Sequence, residues 1–461
     1  MEREGKIAES EARMEERRKL FGTNGVRGVV NEFLTPEFVL QMGRAIGTVM
    51  RGSVAVATDT RTSNIMLKNA LVSGLLSTGD DVVDFGIIPT PALQYQVKEG
   101  TFASGAVITA SHNPPQFNGV KLISADGTEA SGEEERSVEE AYYSRKYTTA
   151  GWAALGVCTV NHTGGTDYVK AVSRHVDMEA IRRRRFKVVL DCSNGAASLT
   201  SPYLMERLGV RAITMNAQPQ GSFPGHESEP TPENLEALTE TVKALGADMG
   251  IAHDGDADRT VFVDEKGRYI PGEMSLALMA REAVRNRTGA TVVVPVSTPS
   301  VVEEAARPFG ATTIYTRVGS PVVARKMMET GAVIGGEENG GIINPAMQYC
   351  RDGGMTAARM LEIVAEGGNL SDLIDSLPRV YTVKMKVSLQ GRDSSSILER
   401  IDSETEGRRK DRTDGLKIFL EDGWVLIRPS GTEPLMRIFA EAKEAVRARK
   451  IAEDFAKRVE Q

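Results

Sequence analysis

The segment Thr109-Ala-Ser-His-Asn-Pro-Pro115 places a serine hydroxyl where an apolar run, Ala106-Val-Ile108, gives way to a polar loop. Open α/β sheets bind their ligands at that edge, so Ser111 is placed to carry a phosphoryl group. Locally, the same residues also suit an ordinary turn, because Asn-Pro starts one and a serine can cap the next segment. A second segment, His253-Asp-Gly-Asp-Ala-Asp-Arg259, comes after another apolar run, Met249-Gly-Ile-Ala252. Asp254, Asp256 and Asp258 set three hard oxygen donors at alternating positions, the chemistry that magnesium prefers. A phosphate on Ser111 would bring nearly two negative charges, so it needs such a cation to screen it and polarise its phosphorus.

The aspartate spacing has a rival reading. Counted from Asp254, the ligand positions one, three, five and twelve of a calcium-binding EF-hand fall on Asp254, Asp256, Asp258 and Glu265. Position six, which needs glycine for a sharp turn, is Arg259. The flanks Gly250-Ile-Ala252 and Thr260-Val-Phe-Val263 read as strands, whereas an EF-hand is flanked by helices. Magnesium held by the three aspartates and an oxygen of phosphorylated Ser111 is the better account.

A strand, a loop and a helix recur three times around these segments. Val54-Ala-Val-Ala57 leads through Thr58-Asp-Thr-Arg-Thr-Ser63 into a helical pattern over 64–77. Lys187-Val-Val-Leu190 leads through Asp191-Cys-Ser-Asn-Gly195 into a helix ending at Leu208, and Thr291-Val-Val-Val-Pro295 leads into a helix over 301–309. Short continuous apolar runs suit strands buried on both faces, and strands alternating with helices imply mainly parallel sheets with right-handed crossovers. Ser, Thr or Asn before each helix is expected to cap its free amides. The C-terminal part differs. Leu416-Lys-Ile-Phe-Leu420 and Trp424-Val-Leu-Ile427 flank a glycine-containing turn, 435–441 reads as a strand, and a helix over 444–459 carries an apolar stripe of Val446, Ile451, Ala452, Phe455 and Val459. The expectation is three similar α/β domains plus a C-terminal α+β domain. The divisions fall at a charged extension 1–19, then 20–150, 151–259, 260–376 and 377–461, with the last linker around 377–381.

Four motifs in order resemble the α-D-phosphohexomutase superfamily, most closely its archaeal-type phosphoglucosamine and phosphomannomutases. They are Phe21-Gly-Thr-Asn-Gly-Val-Arg-Gly28, the serine loop, the aspartate loop with Gly336-Glu-Glu-Asn-Gly-Gly341, and Arg428-Pro-Ser-Gly-Thr-Glu-Pro434. The resemblance runs from about Leu20 to the C-terminus. It implies a mutase that isomerises hexose 1- and 6-phosphates in a central cleft, each domain contributing one loop. Ser111 would carry phosphate in the resting enzyme, Mg2+ would sit on Asp254, Asp256 and Asp258, and a hexose bisphosphate would be intermediate and activator. Lys121 matches the family lysine and is the first candidate for proton transfer, its pKa lowered by desolvation or neighbouring cations. His112 would orient or protonate the phosphate, or hydrogen-bond the loop backbone. Arg27 would stabilise charge on the transferring group, and Arg259 would contact substrate or phosphoserine. Glu337 and Asn339 would bind ring hydroxyls. Arg428, Ser430, Gly431 and Thr432, with Arg437 beside them, would clamp the phosphate that is not reacting. The chain departs from many superfamily members, which have serine where Asn339 stands and histidine where Gly341 stands.

The likeness of the Phe21-Gly-Thr-Asn-Gly start and the Gly-Glu-Glu-Asn-Gly-Gly loop implies glucosamine phosphate as substrate, with phosphomannomutase or phosphoglucomutase activity as the alternative. A serine-dependent metal phosphatase and a non-catalytic calcium or sugar-phosphate sensor are the rivals from other classes. Across 461 residues, 41% apolar and 26% charged content are those of a soluble globular enzyme. The net charge of −7, from 56 basic and 63 acidic residues, argues against a nucleic-acid binder. No apolar run approaches the roughly 20 residues that span a bilayer. The basic run 182–185 closes a helix, where cations are favourably placed. Cys158, Cys192 and Cys350 lie far apart and read as buried thiols in a reducing, cytoplasmic setting. The oligomeric state is left open.

Overall fold

A computed structural model describes residues 19–22, 24–430 and 434–461. The charged extension thus lies outside the described residues except for Lys19, as do Gly431 and Thr432 of the phosphate loop. Three mixed α/β sheets and one antiparallel sheet succeed one another along the chain.

In the first sheet Val54–Thr58 lies between Val82–Ile87 and Ser104–Ile108, parallel to both. Phe117–Ser124 folds back antiparallel on Ser104–Ile108, and Val26–Val29 pairs antiparallel with Phe117–Ser124 in turn. Cys158–Val160 completes the sheet alongside Val82–Ile87, so this sheet reaches past residue 150. Every residue of Val54–Thr58 and Ser104–Ile108 is buried, as the unbroken apolar runs require. Ser111 therefore stands just beyond the C-terminal end of a central strand.

The second sheet has Arg211–Met215, Lys187–Asp191 and Met249–His253 in parallel, then Thr260–Asp264 and Tyr269–Ile270 antiparallel. It too extends beyond residue 259. The aspartate loop joins two antiparallel strands in which His253 faces Thr260, and that excludes the helical flanks of an EF-hand. Glu265 accepts hydrogen bonds from Ser371 instead of joining the aspartates. The third sheet pairs Thr291–Pro295 in parallel with Thr312–Thr316 and Ile334–Gly336, and Ile342–Ile343 returns antiparallel.

The C-terminal sheet is antiparallel throughout, with Tyr381–Ser388, Leu435–Ala442, Gly423–Pro429, Leu416–Phe419 and Lys410–Asp411 in spatial order. Ala445–Glu460 covers one face through Ala448, Ile451, Ala452, Phe455 and Val459. Val446 does not belong to that stripe. It lies two residues before Ala448, on the far side of a helix with 3.6 residues per turn, and is exposed. Trp424, Leu426 and Phe439 of this sheet pack on Val296 of the third domain, and Lys417 donates to the Val296 carbonyl at 2.8 Å.

Two further expectations change. The residues before the three helices do not cap them with their side chains. Ser63 instead receives the Asn118 amide, and the Ser300 hydroxyl and amide both bond Glu441, so tertiary contacts use those groups. Cys192 and Cys350 are buried but Cys158 is exposed, because its short strand lies at the edge of the first sheet.

Candidate active site

Ser111 is wholly buried and holds a positive φ of 53°, a conformation that non-glycine residues rarely keep unless their surroundings impose it. One residue that the sequence reading passed over imposes it. Arg61 emerges from the strand-ending loop Asp59-Thr-Arg61 and turns its guanidinium under the serine loop. Its Nη1 donates to the carbonyls of Pro114 (2.7 Å) and Phe117 (2.8 Å), and its Nη2 to those of Ser111 (2.9 Å) and Asn113 (2.6 Å). Nε bonds Asp59 at 3.1 Å, and Asp59 also accepts from Thr109 Oγ1 at 2.6 Å. All five guanidinium N–H groups are thereby used. Asp-x-Arg after a strand was the available signal, but local sequence does not show where so long a side chain will end.

The aspartate loop meets the serine from the second domain. Ser111 Oγ donates to Asp254 Oδ2 at 2.7 Å, and the Ser111 carbonyl lies 2.6 Å from where a Cβ on Gly255 would stand, so only glycine lets the loops approach this closely. Each aspartate has an oxygen occupied by the protein. Asp254 Oδ1 accepts from the Arg259 amide at 3.2 Å. Asp256 Oδ2 accepts from Lys121 (2.6 Å) and Thr90 Oγ1 (2.6 Å). Asp258 Oδ2 accepts from Lys121 (2.8 Å) and Arg351 (2.6 Å). The Oδ1 atoms of Asp256 and Asp258 are buried without a hydrogen-bond partner, and one oxygen from each of the three aspartates can be chosen within 4.8 Å of the others. A divalent cation fits this donor set, because hard oxygens are already oriented by outer partners and two remain unsatisfied.

The charges in the cluster point the same way. Burial, and then Asp258 and Asp256, push the Asp254 carboxyl well above the ordinary range. Burial also works against ionisation of Asp258, but Arg351 and Lys121 prevail and hold it ionised. Lys121 departs from expectation. Burial alone would lower its pKa, yet Asp256 and Asp258 outweigh burial and raise it. His112 Nδ1 lies 3.4 Å from Ser111 Oγ, and burial together with Arg259 and Arg27 holds the ring far below the usual histidine range, so it is neutral. Arg27 bonds Asn113 Oδ1 at 3.0 Å and is pushed down to about 10, chiefly by burial. Arg259 reaches Glu229 at 3.4 Å.

From the third domain, Glu337 and Asn339 enter on the loop after Ile334–Gly336. Arg351 Nη1 donates to Glu337 at 3.0 Å, and Asn339 Oδ1 accepts from the Gly341 amide at 3.1 Å. Arg351 is the second residue that sequence reasoning missed, because its partners lie far from it in sequence. In the C-terminal domain, Arg428 and Arg437 face each other across Gly423–Pro429 and Leu435–Ala442. Paired guanidiniums repel, and an anion between them relieves the repulsion. Arg428 is held at 3.2 Å by Asp414, which accepts from the Val318 amide of the third domain, and Arg437 Nη2 lies 3.4 Å from Ser430 Oγ. Among the described residues, Arg428 and Ser430 make no hydrogen bond to the serine, aspartate or Glu337 loops.

Comparison with known proteins identifies the family. Four models of phosphoglucomutase/phosphomannomutase domains match in order: α/β/α domain I at 18–149, α/β/α domain II at 166–267, α/β/α domain III at 271–381 and the C-terminal domain at 387–458. A phosphoglucomutase/phosphomannomutase of Thermococcus kodakarensis is 47% identical over 94% of this chain and 97% of its own length. A phosphoglucosamine/phosphogalactosamine mutase of Sulfurisphaera tokodaii is 40% identical over 96% and 99%. The crystal structure of a phosphoglucomutase/phosphomannomutase family protein from Burkholderia thailandensis superposes with a TM-score of 0.86 at 28% identity, covering 96% of this chain and 97% of that one. Fold and relatives together define a phosphohexomutase, an isomerase that transfers phosphate within hexose or hexosamine phosphates. The chain belongs to the phosphoglucomutase/phosphomannomutase family of the α-D-phosphohexomutase superfamily. No helix among the described residues is long and apolar enough to cross a membrane.

Proposed function

We propose that the chain is a phosphoglucosamine mutase, interconverting glucosamine 6-phosphate and glucosamine 1-phosphate through phosphorylated Ser111 and a hexosamine bisphosphate. The contact of Ser111 Oγ with Asp254 at 2.7 Å, beside two buried aspartate oxygens that lack a hydrogen bond, carries the reading. Mg2+ held by Asp254, Asp256, Asp258 and a phosphoserine oxygen would screen the phosphate and polarise phosphorus.

In the first transfer the bond between Ser111 Oγ and phosphorus breaks as a bond from the free sugar hydroxyl forms. That hydroxyl loses a proton and the serine oxygen gains one. We assign the proton traffic to Lys121, with neutral His112 orienting the serine and Arg27 and Arg259 stabilising charge on the transferring group. Glu337 and Asn339 hold ring hydroxyls. Arg428, Ser430, Gly431 and Thr432 hold the phosphate at the far end. The bisphosphate turns end for end and returns its other phosphate to Ser111, so a clamp that accepts either end is required. A hexose bisphosphate from solution would load Ser111 in the same way, as activator.

The glucosamine preference is supported by the Gly-Glu-Glu-Asn-Gly-Gly loop and by relatives named phosphoglucosamine mutase. The 47% identity to a phosphoglucomutase/phosphomannomutase favours neutral hexose phosphates as the second reading. The deciding experiment compares kcat/KM for glucosamine 6-phosphate, mannose 1-phosphate and glucose 1-phosphate with magnesium, alongside intact-mass analysis of Ser111 phosphorylation. Preference for the neutral sugars would overturn the substrate assignment alone. Normal turnover in Ser111→Ala would overturn the covalent scheme, and free phosphate without isomer would indicate a phosphatase.

A further inference from the structure

Arg351 occupies a position that neither the motifs nor the reaction scheme accounts for. It lies directly beside Ile342–Ile343, bridged to Ile343, and is buried. Its two terminal nitrogens diverge to two carboxylates of different function. Nη2 donates to Asp258 Oδ2 at 2.6 Å, in the cation loop of the second domain. Nη1 donates to Glu337 Oε2 at 3.0 Å, in the sugar loop of the third. Each carboxylate thus has one oxygen fixed by the same rigid plane, and the remaining oxygen of Asp258 is buried without a hydrogen bond, 3.9 Å from Arg259 Nε. The Nε of Arg351 is buried without a hydrogen bond and Glu129 Oε1 lies 4.0 Å from Nη2, so the two terminal hydrogen bonds are the short contacts that hold the side chain in place.

The stem of Arg351 explains a glycine. A Cβ placed on Gly341 would lie 2.3 Å from Arg351 Cδ and 3.1 Å from its Cγ. Gly341 has no positive φ that would demand glycine, so the demand is one of space. The volume a side chain at 341 would enter is filled by the arginine, and the two positions are interlocked.

We infer that Arg351 is a positioning residue that couples the cation loop to the sugar loop, and that Gly341 is glycine to admit it. Fixing Asp258 presents its free oxygen to the cation, and fixing Glu337 presents its free oxygen to a sugar hydroxyl. A ligand that orders either carboxylate orders the other through one guanidinium, and such coupling is reciprocal. Arginine suits the task and lysine does not, because only a planar fork serves two acceptors in fixed directions. The inference rests on reading Asp258 as a cation ligand and Glu337 as a sugar contact.

The test is calorimetric titration of Mg2+, with and without saturating glucose 1-phosphate, in a chain carrying Ser111→Ala to prevent turnover. The parent is expected to bind Mg2+ about fivefold or more tighter when the sugar phosphate is present, the lower range of ordinary coupling. Arg351→Lys, which keeps the charge and loses the fork, should bring that factor close to one. Glu337→Gln keeps the arginine stem and alters one end of the bridge, and it should do the same without dependence on how Arg351 variants fold. Gly341→Ala should lower the factor in the parent and have a smaller effect when combined with Arg351→Ala, where only Asn339 Oδ1, 3.1 Å from the new Cβ, is still crowded. Full coupling retained in Arg351→Lys and Glu337→Gln would overturn the inference while leaving the mutase reading intact. A parent chain whose Mg2+ binding is unaffected by Asp254→Asn and Asp256→Asn would overturn the cation site, and the inference with it.

Discussion

Replacing Arg61 with lysine tests whether one buried guanidinium builds the serine loop. The arginine serves four carbonyls between Ser111 and Phe117 and the carboxylate of Asp59. A lysine ammonium has three donors against the five of arginine, so at least two acceptors lose theirs. An unsatisfied buried polar group costs about 1–3 kcal/mol, or about 2–6 kcal/mol for two. Asn113 and Pro114 are only partly buried and water can replace some of what is lost, so the lower half of that range, about 2–4 kcal/mol, is expected. Arg61→Met should cost more, because it also strands the Asp59 carboxylate, and breaking a buried ion pair from one side costs about 3–5 kcal/mol. Turnover should fall further than stability suggests. Ser111 would be free to relax from its φ of 53°, and a displacement of about 1 Å at a reacting atom can cost on the order of 100-fold. Urea unfolding and steady-state turnover, measured on Arg61→Lys and Arg61→Met together, read the two effects separately. Unchanged stability and turnover in Arg61→Lys would refute the reasoning, because no cation without the fork can serve all five acceptors.

Asp256→Asn removes charge from an oxygen that now lacks any partner, and should weaken Mg2+ binding measured calorimetrically by about tenfold or more, while chelation of divalent ions stops turnover of the parent. Asp414→Asn loosens Arg428 from both its own domain and the third, and is expected to raise KM for hexose phosphates several-fold with a smaller change in kcat; equal losses in kcat and kcat/KM would place Asp414 elsewhere in the cycle. Lys417 is pushed down from 10.5 to about 8, chiefly by burial against Trp424 and Val296. Below about pH 8 it is charged in both folded and unfolded chains; between about 8 and 10.5 only the unfolded chain holds the proton. Its contribution to stability therefore rises with pH across that window, and the thermal midpoint of the parent relative to Lys417→Met should rise with it. A constant difference would exclude the effect.

The parts of this protein legible in its sequence are those in which a short run of residues carries its own physical constraint. Unbroken apolar runs such as Val54-Ala-Val-Ala57 can be satisfied only as strands covered on both faces, and they are wholly buried. Three aspartates at alternating positions between two strands set oxygen donors close together, and they lie together at the end of an antiparallel pair. Caps were less legible, since Ser63 and Ser300 had tertiary partners that no local pattern reveals. The serine, aspartate and Glu337 loops are brought together by the fold, but the motifs did not show what holds them. Arg61 and Arg351 are ordinary arginines in sequence, and their importance comes from carbonyls and carboxylates up to 93 positions away that folding brings within 3.0 Å. The protonation of Lys121 reversed for the same reason: burial acts on any enclosed lysine, but the two aspartates that outweigh it come from another domain. Residue types and their spacing determined which chemistry was available. The tertiary structure decided which oxygens of Asp256 and Asp258 are held and which lack a hydrogen bond, because hydrogen-bond direction and electrostatic balance depend on atoms that only the folded chain brings together.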